Sequence, residues 1–110
     1  MRSNFDYRNP YFVEITACVL LVFACENSQN NTFKTNDMLS NLGPFARFFW
    51  FDVEKVLEDK HYIELANSSA SDSEFRITTT GRSFANSYRV QNNIDLDKEP
   101  KEIILRIYNK

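Results

Sequence analysis

At 110 residues the chain has the length of one domain, enough for a single modest core. Ten phenylalanines and a 43% hydrophobic content, against two glycines and three prolines, exclude a disordered chain and argue against a turn-rich β-sandwich. A formal net charge of −2 excludes a generally basic surface, so nucleic-acid binding would have to rest on local patches.

Asn9-Pro10 is suited to opening a first helix, because proline fits the first turn and fixes a helical φ. The helix is expected over 10–26. It is apolar nearly all round, the mark of a central buried helix. Its continuous apolar stretch, 15–25, falls short of the ~20 residues of a membrane span. Val22-Phe23-Ala24-Cys25 loosely resembles a lipid-attachment box, but Asp6, Glu14 and the bulky Phe23 fit a core helix better than an export segment. A cytoplasmic protein without a membrane partner is therefore expected. Cys18 and Cys25 lie two helical turns apart, ~10.5 Å of rise, too far for a disulfide within one helix, so both are read as reduced thiols. His61 is the one histidine and there is no Cys-x-x-Cys, so no metal site or cofactor is expected.

A polar loop follows at 27–31. Thr35 is placed as the N-cap of a short helix over 36–42, with Asp37 near its positive end and Gly43 as its stop. Pro44 fits the first turn of a third helix, continuous to about Lys60, whose Phe49, Val53, Val56 and Leu57 can face the core. Two helices joined by Gly-Pro read as a helix-turn-helix. Alternation over 61–65, with Tyr62 and either Ile63 or Leu65 inward, then a polar loop at 67–73 and Phe75-Arg-Ile-Thr78, predict a β-hairpin. Thr79 or Thr80 caps a fourth helix over 81–90. Pro100 opens a fifth over 101–108, whose Ile103, Ile104 and Ile107 form an apolar stripe.

The predicted class is therefore α+β and mostly helical. Its order of elements is that of a winged helix-turn-helix with a two-stranded wing and a C-terminal helix. Residues 1–9 are an N-terminal arm, 10–90 the domain, and 91–110 a linker and last helix. The segments Val53-Glu-Lys-Val-Leu-Glu-Asp-Lys-His-Tyr-Ile63 and Ile77-Thr-Thr-Thr-Gly-Arg82 resemble MarR-like and PadR-like winged-helix regulators. In those families the third helix enters the DNA major groove and the wing meets nearby backbone. The resemblance implies a small DNA-binding transcriptional regulator, with residues 44–55 as reading helix and 66–74 as wing tip. Lys34, Arg47, Lys55, Arg76 and Arg82 are then the candidate contacts to double-stranded DNA. A homodimer is expected from the isoleucine stripe and from Phe5, Tyr7 and Tyr11.

The chain departs from that pattern at both contact regions. Residues 45–51 read Phe-Ala-Arg-Phe-Phe-Trp-Phe, poor in the donors and acceptors that read bases, and the wing region carries Asp72 and Glu74. This motivates an alternative, a winged-helix protein-interaction module contacting its partner through Phe45, Phe48 and Phe51. No catalytic constellation is found. His61 reads as a helix-end residue, and Glu54 and Glu58 beside Lys55 read as a surface charge pattern.

Overall fold

The computed structural model describes residues 8–28, 30–41, 43–68 and 72–110. Phe5 and Tyr7, most of the N-terminal arm, Leu42 and the centre of the wing loop lie outside the described residues. The elements are α1 (Pro10–Asn27), β1 (Thr32–Lys34), α2 (Thr35–Asn41), a 3₁₀ segment (Pro44–Phe49), α3 (Trp50–Asp59), β2 (Ile63–Asn67), β3 (Glu74–Ile77), α4 (Thr79–Gln91) and α5 (Pro100–Tyr108). The architecture is α+β and mostly helical, with one small antiparallel sheet.

Helix α1 is the centre of the fold. The Asn9 side chain accepts from the Tyr11 backbone N–H at 2.9 Å, Pro10 takes the first turn, and twelve of eighteen residues are buried. At 18 residues α1 is long and apolar enough to cross a membrane by length and composition, yet two-thirds of it is buried inside the protein. It packs against α3, α4 and α5. Thr16, the buried polar residue on it, donates its hydroxyl to the Phe12 carbonyl at 2.9 Å, which removes the cost of burying that group. Against this helix α5 lays Ile103, Ile104 and Ile107, all buried. The stripe that suggested a dimer is thus spent on the chain's own core.

The sheet is three-stranded, in the order β1-β3-β2, rather than the two-stranded wing expected. Strand β1 is three residues long, too short to show alternation in sequence; its Phe33 stacks on Phe75 across the ladder, with centroids 5.7 Å apart. In the β2–β3 hairpin Ile63 pairs with Ile77 and Leu65 with Phe75, and the register shifts between Leu65 and Asn67. Ile63 is the inward residue of β2, while Leu65 is exposed.

Three boundaries differ from expectation for local reasons. Residues 44–60 are not one helix: at Phe49, with φ −134° and ψ 24°, the 3₁₀ segment gives way to α3. The strand starts at Ile63 because His61 adopts φ 61° and ends α3. Its N–H donates to Glu58 and that of Tyr62 to Leu57, the paired bonds of a Schellman motif. Asn93, at φ 50°, closes α4 the same way, with bonds to Val90 and, from Ile94, to Arg89. Finally, Thr78 and not Thr79 or Thr80 caps α4. Its hydroxyl accepts from the Gly81 N–H at 2.9 Å and donates to the His61 carbonyl at 2.6 Å. That contact presses α4 onto the start of β2 so closely that a Cβ on Gly81 would lie 2.1 Å from the Tyr62 carbonyl oxygen.

Two substitutions test these joints by urea unfolding. Gly81→Ala forces a Cβ against the Tyr62 backbone and is expected to cost about 3 kcal/mol. His61→Gly relieves a left-handed residue without losing the cap and is expected to add roughly 0.5–1 kcal/mol.

Candidate interaction face

The 3₁₀ segment and α3 together carry the most exposed aromatic residues of the chain among those described. Ala46, Phe49, Trp50, Val53 and Leu57 turn inward and are buried, with Phe49 6.0 Å from the ring of Phe12. Val56, expected in the core, is half-buried at its edge. The outer side is left with Phe48, 87% exposed, and Phe51, 74% exposed. Three residues apart in a helical stretch, the two rings emerge on neighbouring turns of one face. Phe45, expected to join them, is instead half-buried and packed on the core.

The charges around these rings are mixed, with an acidic excess. Arg47 and Lys55 are exposed, but so are Asp52 and Asp59, and Glu54 and Glu58 are half-buried on the same helix. Lys55 Nζ lies 3.8 Å from Asp59 Oδ2. Burial, and after it the neighbouring Glu58, push the Glu54 carboxyl up, while the Trp50 indole pulls against them. The Trp50 indole N–H is itself buried, with no hydrogen-bond acceptor found for it among the described residues.

The other cations expected to touch DNA lie on other elements, Lys34 on β1, Arg76 on β3 and Arg82 on α4. Arg76 on β3 binds Glu64 on β2 at 2.8 Å, a cross-strand pair, both ends of it more than half exposed. The Arg82 guanidinium donates to the Asn31 side chain, tying α4 to the loop before β1. Lys34 lines a groove of about 640 Å³ between the end of α1, β1 and α2, in the company of Asp37 and Glu74. Asp72, read from sequence as part of an acidic wing tip, has a structural task instead. Its carboxylate accepts from the Asn36 N–H at 3.0 Å at the start of α2, beside the Thr35 N–H bond to the Ser73 carbonyl.

No group of three or more His, Cys, Asp and Glu side chains among the described residues could hold a metal ion. Cys18 is buried and Cys25 half-buried. Burial first, and then the Glu14 carboxylate, raise the Cys18 thiol to about 12, against a weaker opposing pull from Lys60; burial likewise raises Cys25. Compared with protein-family models, with curated proteins and with solved structures, the chain matches none.

The thiol shift fixes the sign of a pH effect. A folded-state value raised above 9.0 leaves the contribution of neutral Cys18 intact below pH 9. It is lost as pH climbs from 9 towards 12, because the unfolded thiol ionises first. Unfolding free energy measured from pH 8 to 10.5 is expected to fall more steeply for the native chain than for Cys18→Ala, by at most ~1.4 kcal/mol per pH unit. Equal slopes would show that Cys18 is not the group responsible.

Proposed function

We propose that the chain is a winged-helix domain that acts in the cytoplasm as a protein-interaction module, presenting Phe48 and Phe51 to a partner. Support for the fold comes from the order helix, strand, two helices, hairpin, helix, and from a sheet in which the strand between α1 and α2 pairs with the second hairpin strand. The observation that carries the function is the exposure of Phe48 and Phe51 at the start of the helix that would read DNA.

Two exposed phenylalanines are removed from water only against another apolar surface, and each is worth about 1.5–3 kcal/mol when fully buried. Aromatic residues, Phe among them, are enriched at protein interfaces. DNA offers that helix the wrong chemistry. Base edges ask for donors and acceptors where it holds phenyl rings, and phosphates would meet Asp52 and Asp59 beside Arg47 and Lys55. The complementary partner surface is an apolar hollow with a basic rim. A regulator that binds double-stranded DNA remains the competing reading, on the family resemblance.

Phe48→Ala and Phe51→Ala are expected to leave the unfolding free energy within about 0.5 kcal/mol, since neither ring is packed. In crosslinking to the host's proteins, a species captured by the native chain is expected to disappear with the double variant. Anisotropy with a generic labelled duplex at low salt is expected to show no binding. Duplex binding that weakens steeply with salt and survives both substitutions would overturn the proposal in favour of the DNA-binding regulator.

A further inference from the structure

On the side formed by α1 and α4 there is a second feature, unrelated to the exposed phenylalanines. A cavity of about 340 Å³ opens between them, within the range of small-molecule sites. One wall is the face of α1 carrying Tyr11, Glu14, Ile15 and Cys18, spaced three, one and three residues apart so that they share a side of the helix. The facing wall is a column of rings. Tyr62 stacks on Phe84 with centroids 4.4 Å apart and planes 17° from parallel, and Phe84 stacks on Tyr88 at 5.5 Å and 30°.

The column is held in place before any ligand arrives. The Tyr62 carbonyl accepts from the Thr78 N–H at 3.0 Å, and Gly81 closes directly onto it, which locks the strand end to the helix bearing Phe84 and Tyr88. Ile107 of α5 adds further apolar lining. Two opposite charges lie at the rim: the Glu14 carboxylate on α1 and the Lys60 ammonium at the end of α3. Among the described residues neither has an ion-pair partner, so the two do not neutralise each other. Both act on the same buried thiol, Glu14 raising Cys18 and Lys60 lowering it, so both charges are felt inside the cavity.

We propose that this cavity binds a small aromatic zwitterion of the aromatic α-amino acid class, its ring against the Tyr62–Phe84–Tyr88 column, its ammonium at Glu14 and its carboxylate at Lys60. The ring supplies the apolar and stacking part of the affinity, and the paired rim charges select a ligand carrying both signs. An aliphatic zwitterion lacks the first and an aromatic amine or acid lacks one half of the second.

Isothermal titration of the full chain with L-tyrosine, L-phenylalanine and L-tryptophan, with L-leucine, tyramine and 3-(4-hydroxyphenyl)propionate as controls, tests this. At least one aromatic amino acid is expected to bind at least tenfold more tightly than any control. Glu14→Gln and Lys60→Met, both at exposed positions, are each expected to weaken that binding about tenfold at unchanged Tm. Leucine binding as well as the aromatic amino acids, or either variant binding as tightly as the native chain, would overturn the proposal, as would no heat with any aromatic amino acid at millimolar concentration. Because Phe48→Ala and Phe51→Ala lie outside the cavity, they are expected to leave this binding unchanged.

Discussion

The demand that α1 be removed from water organises this protein, because a helix apolar on every side cannot rest on a single layer. Burying Val, Leu, Ile or Phe is worth about 1.5–3 kcal/mol per side chain, and α1 offers such residues right round its circumference. Three helices are therefore recruited to wrap it. The consequence reaches α5, whose isoleucines would form an attractive dimer seam on an isolated helix but are consumed as the last panel of this enclosure. A second polar consequence is Thr16, which can be buried at the centre because its hydroxyl bonds back to the Phe12 carbonyl.

Nine of the phenylalanines and tyrosines fall into three groups with different physical fates. Phe12, Phe23, Phe49 and Phe75 are buried and supply core volume. Tyr62, Phe84 and Tyr88 are half-buried and stacked, forming a rigid surface at the rim of a cavity. Phe48 and Phe51 remain largely in solvent. Nothing in residue type separates these groups; the element each residue falls on, and the side of it that faces the core, does. The change from 3₁₀ to α-helical geometry at Phe49 matters here. It alters the angular step along the segment, sending Phe49 and Trp50 inward and their neighbours Phe48 and Phe51 outward.

Charge placement follows the same logic of local use. Arg76 and Glu64 are brought face to face by the register of the hairpin, and Asp72 accepts from the Asn36 N–H at the start of α2. Several residues that read as candidate DNA contacts or as an acidic tip are therefore engaged in stitching the sheet and its flanking helices together. The outer face of α3 keeps a mixed set of charges with an acidic excess.

The order of the helices was legible in local residue patterns, though the break at Phe49 within 44–60 was not. Near-continuous apolar character announced α1, proline marked the openings at Pro10, Pro44 and Pro100, and alternation flagged the hairpin, because these signals are local and periodic. His61 as a helix end was likewise legible, since it follows directly on the last turn. Strand β1 was not, because three residues carry no period and Phe33 becomes a strand residue only when Phe75 arrives from across the sheet. Long-range packing settles which phenylalanines face solvent, which cations are paired, and that Glu14, Lys60 and the Tyr62–Phe84–Tyr88 column border one cavity. Those are contacts between segments far apart in the chain. Their partners are set by packing around α1, a constraint that no local window of sequence contains.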